Sequence, residues 1–306
     1  GTQMQTCTPT IPKIVGVQVC ICVPIIVFQF CKGKEFFSKE YWGYALRIGI
    51  PIVPHYLSGI ILNQGDRIMI DKMVGKTEVA LYGLAYSIGM LVQLFISGMN
   101  SALTPWMYSK IKKGDIRSMR KVLQLLSIVV VGIAVALMLI SPELVLIFGS
   151  PKYREAVYVI PPVAASVFFI FIYNILSMPQ FYYEKTQFLM VASMAAAGAN
   201  VVLNFIFIRL FGYIAAGYTT LACYMLYSVG HYIVSKRILV NEGIQENLMN
   251  PGFLVACSVF LIGASIICNL IFPYRILRYA ILLASAGLVF WKKELLLKTM
   301  ADIRKK

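Results

Sequence analysis

Apolar residues run along this chain in long stretches broken by short polar links, without the strand-like alternation of a barrel wall. The stretches fall at about residues 14–31, 45–71, 79–105, 122–141, 156–181, 187–209, 213–235, 252–272 and 276–291. Roughly 20 residues of helix cross the hydrocarbon layer of a bilayer. Backbone amides find no water there and must bond within their own segment, so runs of this length are predicted to be helices. The expected class is therefore all-α, a polytopic transmembrane helix bundle of about nine spans.

The polar links carry an orientation. Lys32, Lys34 and Lys39 follow the first span. The same side then collects Lys110, Lys112, Lys113, Arg117, Arg120, Lys121, Lys185, Lys236, Arg237, Lys292, Lys293, Lys298, Arg304, Lys305 and Lys306, eighteen in all. The opposite side holds eight: Lys13, Lys72, Lys76, Lys152, Arg154, Arg209, Arg275 and Arg278. Positive charge stays on the cytoplasmic side, which assigns the first set, and the C-terminus, to the cytoplasm. Tyr41, Trp42, Trp106, Tyr108 and Trp291 sit near span ends, where amphipathic rings favour the headgroup region. The longest polar link, residues 235–251, separates seven spans from a final pair. The expected organisation is residues 1–40 as one helix and a link, 41–236 as a six-helix lobe, and 237–306 as a link, two helices and a basic tail.

Composition agrees with this pattern and narrows it. A chain that is 59% hydrophobic and 13% charged, with mean hydropathy +0.77, has more apolar surface than a soluble core can hide. The net charge of +15 would suggest nucleic acid in a soluble protein, but here the basic residues lie in loops at span ends, so no nucleic-acid partner is expected. Cys20, Cys22, Cys31, Cys223, Cys257 and Cys268 lie in or beside apolar runs and Cys7 outside them. None forms a metal-spaced group with the two histidines, so they are read as packing residues, and neither metal nor cofactor is expected. Residues 1–13 show no basic stretch leading into an apolar run and a cleavage site, and residue 1 is not Met. No signal peptide is expected, and an upstream portion is expected to be missing.

Candidate chemistry concentrates in residues 45–71. As a helix, this segment places His55, Ser58, Gly59, Asn63, Asp66 and Arg67 near one face, a polar stripe in an apolar rod. At about 1.5 Å per residue His55 lies roughly 15 Å along the helix, near mid-membrane, and Asp66 and Arg67 lie about 30 Å along, near the far interface. Ionisable groups within a membrane face a cavity or a partner. His55 is thus a candidate proton or substrate contact, or a histidine bonded to a neighbouring helix. Pro51 and Pro54 remove backbone donors and are expected to kink the helix beside it. Arg67 and Asp71, four apart, are positioned to pair, as a rim salt bridge or a gate. Arg47 suits a phosphate by its planar fork, or snorkels to the interface. Milder stripes run through Gln93, Ser97, Asn100 and Thr104, and through Tyr173, Ser177, Gln180 and Glu184. Asn200 and Asn204, one turn apart, follow a run of small residues and suit either close helix contact or sugar hydroxyls. No phosphate-cradling loop, metal motif or catalytic constellation appears, which disfavours transport driven by the chain's own ATP hydrolysis and leaves open a lipid-linked glycan polymerase or ligase, which needs few obvious catalytic groups.

The string PIVPHYLSGIILNQGDRIMIDK at residues 51–72, followed by VALYGLAYSIGMLVQLF and ALTPWMYSKIKKGD, resembles the polysaccharide biosynthesis or O-antigen flippase family within the multidrug/oligosaccharidyl-lipid/polysaccharide exporter superfamily. FGSPKYREA, the YYEKTQ loop and the pattern Asn200, Asn204, Gly212, Ala215, Ala216, Gly217 extend the resemblance over about residues 35–240. It implies two six-helix lobes around a central cavity, with this chain similar to the last helix of the first lobe, the whole second lobe and two additional C-terminal helices. It also implies a substrate, an undecaprenyl-pyrophosphate-linked oligosaccharide moved to the outer leaflet by ion-coupled alternating access. Membrane lipids, a glycan polymerase and glycosyltransferases are the implied partners. On that reading Arg47, Arg67 and Lys185 are candidate positive contacts for pyrophosphate, and His55, Asn63, Asp66, Asn200 and Asn204 the candidate polar substrate-binding residues. The alternatives are a cation-coupled drug exporter of the same superfamily, a membrane glycan polymerase or ligase, and a structural scaffold. The outer link at residues 141–155 is short for a polymerase or ligase.

Overall fold

A computed structural model of the chain describes residues 10–33 and 37–291. Cys7, Lys34 and the basic tail at 292–306 lie outside the described residues, as do the side chains of Lys13 and Trp291. Every one of the nine apolar runs is helical, and no strand occurs among the described residues. The elements are α1 (Thr10–Gly33), α2 (Lys39–Met73), α3 (Lys76–Gly89), α4 (Leu91–Lys112), α5 (Ile116–Phe148), a 3-10 helix η1 (Pro151–Val159), α6 (Ile160–Tyr182), α7 (Thr186–Phe211), α8 (Ala215–Asn241), α9 (Pro251–Ile271) and α10 (Arg275–Trp291). The protein is an all-α, multi-pass membrane bundle. Six segments among the described residues are long and apolar enough to cross a bilayer unaided: Lys39–Met73, Lys76–Lys112, Ile116–Phe148, Pro151–Tyr182, Thr186–Phe211 and Pro251–Ile271. The others fall short for different reasons. The apolar part of α1 and the whole of α10 are short, whereas α8 has the length but carries Thr219, Thr220, Tyr224, Tyr227, Ser228 and His231.

Two compact units divide the chain, Gly1–Gly49 and Ile50–Lys306. In the first, the described side chains of α1 from Val19 onward are exposed and predominantly apolar, Cys20, Cys22 and Cys31 among them. These three cysteines are therefore not the packing residues expected. Cys223 and Cys268 are, buried in the second unit as small apolar side chains.

The second unit is built around α6. From Ile160 to Ile172 every side chain is buried, which is the signature of a helix enclosed on all sides. It packs against α8, α5, α4, α9 and α3. Pro161 and Pro162 occupy its first turn, where a missing N–H costs nothing. They also explain why α6 starts at Ile160 and is preceded by a 3-10 turn. The run expected as one span over 79–105 is two helices that break at Met90. Gly89 lies so close to α6 that a Cβ there would stand 2.6 Å from Val163 Cγ1. The bundle also fixes its turns chemically. The Asp115 side chain accepts from Ser118 N at 3.2 Å and caps α5, while Lys110 Nζ reaches the same carboxylate at 2.6 Å. Asn250 caps α9 through Gly252 N at 2.9 Å. The polar link before α9 folds back on α5, where Arg120 Nε donates to Asn247 O at 2.7 Å. The final helices dock within this same unit, since α9 packs on α5 and α6, and α10 on α5.

Candidate functional site

One face of α2, with α3, α6 and α8, encloses a cavity of about 670 Å³. Helical spacing puts its lining in place. On α2, His55, Gly59, Asn63 and Arg67 recur every four residues, and on α8 Tyr224 and Tyr227 recur at three. Tyr86 comes from α3, and Tyr173, Asn174, Ser177 and Phe181 from α6. The result is a wall of phenol rings with amides and hydroxyls set into it. None of the described lining residues is acidic.

These groups hold one another in position. Asn63 Oδ1 accepts from Tyr86 Oη at 2.7 Å and from Tyr224 Oη at 3.3 Å, and its Nδ2 donates to Gly59 O at 2.8 Å. His55 Nδ1 and Tyr227 Oη are 3.1 Å apart. Tyr173 stacks on Tyr224 with rings nearly parallel and lies 4.5 Å from the centroid of Tyr227. Arg67 donates from Nη1 to Gln64 Oε1 at 2.6 Å and places its guanidinium 5.0 Å from the Tyr86 ring centroid. Its buried Nε has no partner. Arg67 is thus oriented by Gln64 and Tyr86 rather than by the ion pair with Asp71 that the spacing suggested, and keeps donor capacity for a ligand. The expected kink does not interrupt α2, which stays helical through Pro51 and Pro54, and Ser58 Oγ donates to Pro54 O at 2.7 Å.

Behind this wall lies a second polar group. Asp66 is fully buried, one residue and so about 100° around the helix from Arg67. Its Oδ2 accepts from Tyr82 Oη at 2.5 Å and Thr220 Oγ1 at 2.7 Å, and its Oδ1 from Asn204 Nδ2 at 2.6 Å. Asn204 Nδ2 donates also to Asn200 Oδ1 at 3.1 Å, Thr219 donates to Asn204, and Asn200 Nδ2 is 3.4 Å from Thr220 Oγ1. The structure therefore joins Asp66, Asn200 and Asn204 in the interior between α2, α3, α7 and α8, which takes the helix-contact side of the two readings the sequence allowed and sets them behind the cavity lining. His55, Asn63 and Arg67 line the cavity. Arg47 is exposed in the first unit, and Lys185 is exposed at the start of α7, outside the cavity lining.

The tyrosines escaped the sequence reading, apart from Tyr173. A signal was there: Tyr224, Tyr227 and His231 at steps of three and four mark one face of α8, and Tyr82 and Tyr86 one face of α3. His231, fully buried, lies 2.8 Å through Nδ1 from Gln180 Nε2 and continues the ring stack of Tyr173 and Tyr227 inward. Among the described residues no group of three or more His, Cys, Asp or Glu stands in metal-binding proximity.

The chain is 29% identical over 166 residues to "Lsg locus putative protein 1" of Haemophilus influenzae (strain ATCC 51907 / DSM 11121 / KW20 / Rd), covering 51% of this chain and 40% of that protein. It is 29% identical over 185 residues to an "Uncharacterized membrane protein" of the same organism, covering 57% of this chain and 44% of that one. The chain thus spans less than half the length of these relatives. No solved structure matches. Residues 14–112, which include all of α2 and α3, match the sequence model of the family described as "Polysaccharide biosynthesis protein". That match includes residues 51–72 and bears out the resemblance they carry to that family.

Proposed function

We propose that this chain forms the substrate-facing lobe of a flippase that moves a polyprenyl-pyrophosphate-linked oligosaccharide across the bacterial cytoplasmic membrane. The observation that carries the reading is the character of the cavity: tyrosines, amides and serines with Arg67 and His55, and no acidic group among the described lining residues. Phenol rings offer flat apolar faces and hydroxyl edges to sugars, and a guanidinium with a free donor suits a phosphate oxygen. A cavity for a cationic drug calls for carboxylates instead, so the lining disfavours that alternative.

Coupling is assigned on this reading to Asp66. A carboxyl group buried in the spanning region is costly and calls for a function. Here its neighbours are hydroxyls and amides, with no cationic side chain among the described residues bonded to it. That environment suits uptake of a proton or a small cation, and Tyr82, Asn204 and Thr220 tie it to three other helices. Loading the site would thereby alter how α2, α3, α7 and α8 hold together, which is what alternating access requires.

The test is complementation of a strain lacking its polysaccharide flippase with the full-length gene, scored by surface glycan and by retained lipid-linked intermediates. Restored surface glycan with a falling internal pool supports the reading. Persistent accumulation despite membrane insertion sinks it.

A further inference from the structure

A second cavity, of about 810 Å³, lies where α5 ends and α9 turns into α10, at the opposite end of α5 from its Asp115 cap. Four cations line it, Lys152 and Arg154 from η1 and Arg275 and Arg278 from α10, against two carboxylates, Glu143 and Glu155. One carboxylate is already committed, because Glu143 takes both terminal nitrogens of Arg278 at 2.8 and 2.9 Å. Arg278 is a built part of the site: it is 3% exposed, donates a further bond to Leu139 O at 2.7 Å, and keeps a buried Nε without a partner. Lys152, Arg154 and Arg275 are exposed, and none of them is in an ion pair among the described residues.

The placement of these cations runs against helix electrostatics. The N-terminal end of a helix is its positive end and favours anions. Yet η1 and α10 carry no acidic residue in their first turns, and each begins with two cations. Two helix starts and a surplus of positive side chains therefore face one cavity, and the missing complement is an anion with several oxygens. The remaining wall is apolar, formed in part by Val145, Leu146, Tyr158 and Phe272, the last two with ring centroids 5.9 Å apart.

We propose that this cavity binds a phosphate-bearing lipid, with the phosphate held by Arg278, Arg275 and Lys152 and the chain against the apolar wall. The phosphate has two sources, an anionic phospholipid headgroup or the pyrophosphate of a polyprenyl-linked glycan. The inference does not depend on the role assigned to the first cavity.

The experiment compares the whole protein with a Lys152→Ala/Arg275→Ala variant, both exposed positions whose loss leaves the packing intact. Native mass spectrometry from mixed phosphatidylcholine and phosphatidylglycerol nanodiscs reads retained phosphatidylglycerol. Inorganic pyrophosphate, titrated in neutral detergent, reads the second source through the melting temperature. The double variant is expected to weaken the binding by about tenfold or more, while Arg117→Ala, an exposed cation at the other end of α5, binds like the wild type. Retention of phosphatidylglycerol that the double variant loses, without a pyrophosphate response, assigns the headgroup. A pyrophosphate response that the double variant loses assigns the pyrophosphate. Equal behaviour of wild type and double variant in both assays overturns the proposal and leaves these residues as interfacial cations.

Discussion

Replacing Asp66 by Asn separates what this residue contributes to the fold from what it contributes to transport. Asp66 accepts three hydrogen bonds, from Tyr82, Thr220 and Asn204. Interhelical hydrogen bonds within membranes average about 0.6 kcal/mol, and bonds to charged groups are worth about 1.5–3 kcal/mol. Removing the acceptor altogether, as in Asp66→Ala, is thus expected to cost between about 2 and about 9 kcal/mol. Asparagine is milder. Its amide oxygen can face Tyr82 and Thr220, and only the bond from Asn204 is replaced by two opposed NH2 groups. The expected loss is about 1 kcal/mol, which leaves the protein folded and inserted. What asparagine cannot do is take up a proton or balance a cation. Surface glycan in the complemented strain should therefore drop at least about tenfold, a change equivalent to 1.4 kcal/mol, while thermal melting in detergent shifts only slightly. Normal export by Asp66→Asn would refute the coupling role and make Asp66 a structural link between helices.

Other variants probe separate parts of the structure. Tyr227→Phe removes the hydroxyl 3.1 Å from His55 but keeps the ring; melting should move by less than about 1 kcal/mol, and export should fall to the level of His55→Ala without further loss in the double variant. Arg67→Lys preserves the charge but not the planar fork over Tyr86, so export should decrease with unchanged membrane abundance; full export would argue for a point charge alone. Gly89→Ala places a Cβ 2.6 Å from Val163 Cγ1 and should destabilise by about 1–3 kcal/mol, with recovery in melting when Val163→Ala is added. Arg278→Ala leaves Glu143 facing a lost bidentate partner and should cost on the order of 3 kcal/mol, more than Glu143→Ala and Arg278→Met combined, as read from the same melting assay.

How much was legible in the sequence followed the range of the interaction. The nine helical runs are a local property, and their apolar length alone predicts them. The polar stripe of α2 is local too, and His55, Asn63 and Arg67 share the cavity as the spacing suggested. Asp66 shows what spacing on one helix leaves open. Grouped with Arg67 by sequence, it points into the bundle because Asn204 and Thr220, more than 130 positions downstream, supply its donors. No periodicity on α2 carries that information. The break between α3 and α4 sits beside a close approach of Gly89 to Val163, a residue of another helix, and no periodicity on α3 shows that approach. The enclosed state of α6, by contrast, is written in its own composition, apolar on every side.

That enclosure bears on how the chain enters the membrane during synthesis. Pro151–Tyr182 is apolar enough to partition into lipid as it leaves the ribosome, whereas α8, with its threonines, tyrosines and His231, is not among the helices that qualify alone. α8 packs principally on α6 and α7, both of which precede it in the chain. The least lipid-soluble long helix therefore emerges after its partners are in place, and can bury its hydrogen-bonding face against them instead of against hydrocarbon. Deleting α6 should accordingly strand α8 outside the bilayer, although no residue of α8 has changed.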